Sequence, residues 1–343
     1  MIFLEYIEYN KEECGFPFEE YGYPWGKGNL GIIYLNGWED MNRNLINELY
    51  RIVGKQNVKI EEPMAKHTTF RIGGPAQYLV APQNVEELGQ IVMLCRAEDT
   101  PYFILGHGSN LLVSDAGMTG VVILLDQNFS HFSIEGTTVR AMAGVMLGRL
   151  GLATRDAGLT GFEFAAGIPG TLGGAVMMNA GAYGGEMKDI VATVQLMDRD
   201  GNLSERTGEE MDFSYRHSAV EGTDYIVVGA TLSLQQGDRE QITQRMEELA
   251  TARRTKQPLE FPSAGSTFKR PEGYFAGKLI MDAGLAGYQV GGAQVSEKHC
   301  GFVINKGGAT AADVMQLIED VRQKVYDKYQ VTLEPEVRLV GER

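Results

Sequence analysis

The sequence predicts an α+β fold of closely packed units, and three patterns carry that expectation. Short β runs alternate with helical stretches early in the chain, β-rich runs broken by turn signals fill the middle, and two long helices lie near the end. At 343 residues the chain exceeds one typical domain, so two or three units sharing a large buried core are expected.

Taken in order, residues 1–40 stand apart. They hold eight acidic side chains against two basic ones, are rich in Tyr, Glu and Gly, and show neither helical nor strand period. They read as an unusual extension or a misassigned start, with Met41 as the natural start. From there MNRNLINELYRIVG sets Leu45, Ile46, Leu49 and Ile52 on one helical face. YLVAP reads as a strand, 84–97 as a helix with Val85, Leu88, Val92 and Cys95 inward, and YFILG as a further strand. Runs at about 120–143 and 190–233, with turn signals such as DRDGN, predict a layer of mainly antiparallel strands. Residues 240–257 and 311–328 read as helices, the second with Val314, Leu317, Ile318, Val321 and Val325 in a stripe behind Thr310 as N-cap. The closing VTLEPEVRLVG reads as a strand, and no internal repeat or flexible linker interrupts the pattern.

Composition narrows the function. Hydrophobic residues at 43% and charged residues at 22% argue for a folded globular chain. A formal charge of −14 argues against nucleic-acid binding, which needs a basic face to displace counterions from phosphates. Cys14, Cys95 and Cys300 are scattered without metal-finger or C-x-x-C spacing, so free thiols and no metal site are expected. No run of about 18 apolar residues and no basic-then-apolar leader occurs, which places the protein in the cytoplasm with no membrane insertion.

Two segments carry more glycine than scaffolding needs: LGHGSNLLVSDAG (105–117) and GFEFAAGIPGTLGGAVMMNAGAYGGE (161–186). Glycine admits positive φ and lets backbone N–H groups approach an anion, so both suit a diphosphate, with a helix start near Gly173, Gly174 and Ala175 adding partial positive charge. Either segment alone is equally well read as tight turns; together they favour a ligand. Neither fits G-x-G-x-x-G, because Leu111 stands at the third glycine position, and no G-x-x-x-x-G-K-[ST] occurs.

These loops resemble the FAD-binding loops of the UDP-N-acetylenolpyruvoylglucosamine reductase (MurB) family, within the vanillyl-alcohol-oxidase (PCMH) type of flavin fold. HTTFRIGGPA (67–76), SYRHS (214–218), SAGSTFKRP (263–271), AGLAGYQVGGAQVSEKHCGFVIN (283–305) and LEPEVRLVG (333–341) resemble further family motifs in family order. The resemblance runs from about residue 43 to the C-terminus. It implies a two-subdomain FAD-binding fold over 41–104 and 105–239, its PCMH-type region at about 66–236, and a C-terminal α+β substrate-binding domain over 240–343. It also implies reduction of UDP-N-acetylglucosamine enolpyruvate by NADPH through non-covalent FAD, in peptidoglycan synthesis, by a monomer.

The implied FAD contacts are Arg71, Gly106, Gly108, Ser109, Asn110, Gly167, Ile168, Pro169, Gly170, Gly173, Gly174, Ala175, Asn179, Gly181 and Ala182. His107, between two loop glycines, reads as a solvent-side histidine rather than a covalent flavin anchor. The short stretch between Arg216 and Ser266 resembles the form of the family that lacks an extra substrate-covering loop.

Flavin supplies the hydride chemistry, so the protein must stabilise charge beside the substrate carboxylate and deliver a proton to the adjacent carbon. The resemblance assigns these tasks to Arg216 for the carboxylate, Ser266 as proton donor and Glu336 as partner of Arg216. Glu334 would share the strand face of Glu336, and only motif position selects between them. Read alone, such an arginine is ordinarily a surface ion pair, such a serine a turn residue and such a glutamate a solvated group. Tyr215 is expected to hydrogen-bond the substrate. Lys256, Lys269, Arg270, Lys278 and His299 are candidates for its diphosphate, and Asn305 for a further contact. Two other readings stand beside this one: an oxidase of the same flavin fold, needing no NADPH, and a catalytically silent nucleotide-sugar binder.

Overall fold

The computed structural model describes residues 44–342, so the readings of residues 1–40, the start at Met41 and Cys14 lie outside the described residues. Residues 44–53 form a helix, α1, burying Leu45, Leu49 and Val53. Strands β1 (Val58–Pro63) and β2 (Pro75–Val80) follow, then helix α2 (Val85–Ala97), then strands β3 (Tyr102–Leu105), β4 (Leu111–Val113) and β5 (Met118–Leu124). Asn84 caps α2 by accepting from the Glu87 N–H at 2.9 Å, as side chains with short acceptors do at helix starts. The sheet order is β1-β2-β5-β3, with β5 parallel to both β2 and β3. This corrects the expectation that residues from about 120 open the antiparallel layer. Val121, Val122 and Ile123 are all buried, and a strand apolar on both faces requires an interior position.

The antiparallel layer begins at β6 (Phe132–Glu135) and β7 (Thr138–Met142). Helix α3 (Leu147–Asp156), strand β8 (Leu159–Thr160), helix α4 (Leu172–Met177) and a short pair, β9 (Gly181–Ala182) with β10 (Gly185–Glu186), come next. Strands β11 (Val191–Met197), β12 (Leu203–Thr207) and β13 (Ile226–Ser233) complete a five-stranded sheet of order β12-β11-β13-β7-β6. The DRDGN signal is the β11–β12 hairpin, where Gly201 takes φ +78° and donates to the Asp198 carbonyl at 3.0 Å. Strand β14 (Gln235–Gln236) pairs with β8.

Helix α5 (Arg239–Lys256) leads into a third sheet. It holds β15 (Ser263–Ser266), then after helix α6 (Ala276–Asp282) β16 (Gln289–Val290), β17 (Ala293–Val295) and β18 (Phe302–Asn305), in the order β15-β18-β17-β16. Helix α7 (Ala311–Tyr329) buries Val314, Leu317, Val321 and Val325 completely, and Thr310 caps it through a reciprocal bond with Asp313. Asp115, from the first glycine-rich segment, accepts from the Ala311 and Ala312 N–H groups at 2.8 and 3.0 Å. That part of the segment therefore caps a helix. Only Arg338–Val340 of the closing run is a strand, β19, parallel to β4. Pro335 lacks the N–H that a continuous ladder needs, so 331–337 runs as a loop with a single bridge from Pro335 to Phe268.

From Leu45 onward the chain forms one compact unit. Among the described residues no helix is long and apolar enough to cross a membrane.

Candidate active site

Arg216 stands in a two-residue hairpin whose ends, Ser214 and His217, exchange backbone hydrogen bonds of 3.2 Å each. Its φ is +58°, a left-handed conformation that a non-glycine residue keeps only where its surroundings enforce it. Those surroundings are specific. The buried Ser218 hydroxyl donates to the Met177 carbonyl at 2.6 Å, and Asn179 Nδ2 donates to the Ser214 carbonyl at 2.9 Å. His217 Nδ1 meets Glu221 at 2.8 Å, and the other oxygen of Glu221 pairs with Arg338. This bridge runs beside the Arg216–Glu336 pair and joins the same two chain segments.

Glu336 accepts from Arg216 Nε at 2.6 Å, with side chains 10% and 20% exposed respectively. Its backbone is fixed on both sides, the N–H donating to Thr267 and the carbonyl accepting from Asn110 Nδ2 at 3.1 Å. Burial pushes the Glu336 carboxyl above the ordinary carboxylate range, against the pull of Arg216 and Lys269. Glu334 is solvent-exposed and faces Lys269 at 3.5 Å, so the fold separates the two glutamates that alternation left equivalent.

Ser266 ends β15 beside a register shift, after Gly265 at φ +78°. It pairs with Phe302 across the shift, and its hydroxyl has no protein partner among the described residues.

A cleft of about 1040 Å³ reaches these residues from the FAD-loop side. Of the expected cofactor contacts it is lined by Arg71, Gly106, Ser109, Asn110, Gly167, Ile168, Pro169, Gly181 and Ala182. Gly108, Gly170, Gly173, Gly174, Ala175 and Asn179 do not line it. A side chain at Gly108 would meet the His67 carbonyl at 2.2 Å, so glycine there shapes the loop from behind. Gly173 packs against Ala143, where a Cβ would come within 2.8 Å, and donates its N–H to the Ala143 carbonyl at 2.8 Å. Asn179 is wholly buried and spends its amide on Glu186, Ser214 and the Lys188 N–H, bracing the Arg216 hairpin.

The cleft fits a dinucleotide diphosphate. Among the described residues, the backbone N–H groups of Gly106, His107, Gly108, Ser109 and Asn110 donate to no protein acceptor, and neither do those of Gly167, Gly170 and Thr171. Such donors need an anion or water, and a glycine-lined wall admits phosphate oxygens closely. Five Lys and Arg side chains line the cleft, Lys66, Arg71, Arg149, Arg216 and Arg253, against three carboxylates, Asp126, Glu260 and Glu336. The acidic chain thus presents a locally basic site. Lys66, His67, Arg149 and Arg253 escaped sequence reasoning; His67 opens a family motif and Lys66 precedes it, while nothing local singles out Arg149 or Arg253. His107 is exposed at the cleft rim.

A second cavity of about 410 Å³ opens on the other side, lined by Tyr215, Arg270, Phe275, Lys278, Lys298 and His299. Arg216, Ser266 and Glu336 belong to the walls of both. Tyr215 accepts from the Arg270 N–H at 3.1 Å, and the Arg270 guanidinium lies 4.0 Å above the Phe275 ring. His299 stacks edgewise on Phe302 and burial lowers its pKa, so it serves as a neutral hydrogen-bonding group rather than a cation. Lys256 is exposed outside both cavities, Lys269 faces Glu334, and Asn305 is consumed by the Phe70 carbonyl and the Gly307 and Ala309 N–H groups.

Known proteins resemble this chain in sequence and fold. The family model for an FAD binding domain matches residues 76–206, and that for the UDP-N-acetylenolpyruvoylglucosamine reductase C-terminal domain matches 257–340. The UDP-N-acetylenolpyruvoylglucosamine reductase of Lachnoclostridium phytofermentans is 54% identical over 307 residues, 88% of this chain and 99% of that protein. That of Clostridioides difficile is 52% identical over 301 residues, with 88% and 99% covered. The crystal structure of the Thermus caldophilus reductase superposes with a TM-score of 0.71 at 37% identity, covering 82% of this chain and 97% of that one. The order of the two matched domains agrees with the FAD-binding PCMH-type fold and C-terminal α+β domain that the motifs imply. The chain therefore belongs to the UDP-N-acetylenolpyruvoylglucosamine reductase family of FAD-dependent oxidoreductases.

Proposed function

We propose that this chain reduces the enolpyruvyl ether of UDP-N-acetylglucosamine enolpyruvate to UDP-N-acetylmuramate in peptidoglycan synthesis, with NADPH as hydride donor. One observation carries the reading: Arg216, Ser266 and Glu336 are shared by the cleft that fits FAD and the cavity beyond it. A substrate in the second cavity would meet the flavin only at these three side chains.

Bound FAD would supply the hydride transfer from NADPH to the terminal carbon of the enolpyruvyl group. Arg216 gives its Nε to Glu336 and Nη2 to the Gly181 carbonyl at 3.4 Å, leaving Nη1 without a protein partner for the substrate carboxylate. A guanidinium held this way stabilises the charge that the carboxylate gains as the neighbouring carbon becomes enolate-like. Ser266 then gives its hydroxyl proton to that carbon. Its weak acidity suffices against a strongly basic centre held in reach. Tyr215, Arg270, Lys278 and neutral His299, which line the second cavity, contact the substrate. Lys256, Lys269 and Asn305 support from outside the cavity. We place the FAD part at 41–239, with β5 completing its first sheet, and the substrate part at 240–343. The enzyme is read as cytoplasmic and monomeric, its FAD non-covalent: Cys95 and Cys300 are buried and His107 points to solvent.

An anaerobic visible spectrum tests the assignment. NADPH should bleach the flavin band, and UDP-N-acetylglucosamine enolpyruvate should restore it without oxygen. A band that only oxygen restores would assign the chain to an oxidase.

A further inference from the structure

Arg216 and Glu336 belong to chain segments anchored on different supports. The Arg216 hairpin is tied to Met177 and Asn179 through Ser218 and the Ser214 carbonyl. The Glu336 segment is fixed to Thr267 and Asn110, and the Arg338 N–H donates to the Asn110 carbonyl at 3.0 Å. Across this join the Arg216 guanidinium makes one short bond, from Nε to Glu336, while its bond from Nη2 to the Gly181 carbonyl is long at 3.4 Å. The plane of the guanidinium therefore depends on how the two segments are held against each other.

Glu221 spans the join. Its backbone is firmly seated, the N–H donating to the Ser218 carbonyl at 3.0 Å and the neighbouring Val220 wholly buried. From there one carboxylate oxygen meets His217 Nδ1 at 2.8 Å, and the other pairs with Arg338 Nη2. His217 adjoins Arg216, and Arg338 opens β19 just beyond Glu336, where pairing with β4 begins. A single carboxylate thus grips the neighbours of both members of the Arg216–Glu336 pair. The three side chains are between 35% and 42% exposed, so the bridge contributes little to folding, and its effect is on alignment.

We infer that Glu221 is a positioning residue for flavin reoxidation: by clasping His217 and Arg338 it sets the angle at which Arg216 presents Nη1 to the substrate carboxylate. The inference rests on the proposed function. Glu221 lines neither cavity, so it touches neither flavin nor substrate and acts through Arg216. The bland alternative is a surface ion pair whose loss changes nothing.

Two variants separate these readings. Glu221→Gln keeps the length and removes the charge, and Arg338→Met breaks the bridge from its far end. In stopped-flow absorbance each should slow flavin reoxidation by saturating enolpyruvyl substrate about 10-fold, less than the roughly 10²-fold that a 1 Å misplacement can cost. Reduction by NADPH should keep the parent rate. Calorimetry should give an unchanged affinity for UDP, which lacks the carboxylate that Arg216 holds. The double variant should be no slower than either single one, because both remove the same bridge. Arg338→Lys, which keeps the charge, should recover part of the loss. Unchanged reoxidation in both single variants overturns the inference, and so do additive effects in the double variant. Slowing of both halves alike, or flavin loss with a lowered urea midpoint, would make the bridge a general structural prop and overturns it too. A parent whose reduced flavin the substrate fails to reoxidise would overturn the proposed function, and the inference with it.

Discussion

Glu336 is asked to stay ionised in a place that disfavours charge, and this has a measurable consequence. Its raised pKa means that the carboxylate forms only above the ordinary range near 4.5, so the acid limb of flavin reoxidation by substrate should lie above that value. For stability the sign is the reverse. A carboxyl raised on folding favours the fold below its unfolded pKa, and that contribution is lost as pH rises through the raised value. Glu336→Gln should therefore fold as well as the parent at neutral pH, slow reoxidation by roughly 10²-fold and lose the acid limb. An unchanged limb in this variant would assign it to another group. The choice of Glu336 over Glu334 was legible only through the family motif, because the exposure that separates them depends on the loop imposed by Pro335. Proximity to family motifs likewise made Lys256 and Asn305 candidates for substrate contact. Where each side chain ends depends on contacts far off in sequence, as Asn305 with Phe70 shows.

Helices α1, α2, α5 and α7 were readable, three of them behind a capping side chain, Asn84 before α2, Asp238 before α5 and Thr310 before α7, whereas α3 and α6 have no side-chain cap and were not read. The place of β5 was not, since burial on both faces is a property of the sheet rather than of the strand. Glycines mark the same boundary. Sequence gives Gly108 and Gly173 one job, close approach to the diphosphate, whereas the structure gives them two. Gly108→Val would set a branched side chain at φ +63° with its Cβ 2.2 Å from the His67 carbonyl, deforming the FAD loop. This variant should purify with little flavin, measured as the ratio of visible to 280 nm absorbance. Gly173→Val collides instead with Ala143 between α4 and β7. It should lower Tm by several degrees while the folded fraction keeps its FAD. Equal flavin loss in both variants would return Gly173 to the cofactor wall.

Across the whole molecule a net charge of −14 coexists with a basic cleft, and at its edge the charges also stabilise the fold. His67, at 3.0 Å, does most to hold the Glu62 carboxyl down at about 2, with Lys59 and Lys66 assisting. A depressed carboxyl stabilises the fold above its unfolded pKa and ceases to do so as pH falls through the folded one. The stability lost in Glu62→Gln, read from urea unfolding, should be full at pH 7, shrink below about 4.5 and vanish near 2. A chain shortened to begin at Met41 should keep FAD and activity, because every matched motif and both family models lie beyond it. The central claim is that flavin and substrate occupy two cavities meeting at Arg216, Ser266 and Glu336, so that Ser266 serves only one half of the reaction. Stopped-flow absorbance of Ser266→Ala, with the halves run separately, tests this most directly. Reduction by NADPH should proceed at nearly the parent rate, while reoxidation by the enolpyruvyl substrate should slow by roughly 10²- to 10⁴-fold, the contribution of a positioned general acid. Equal slowing of both halves, or unchanged reoxidation, would contradict the account.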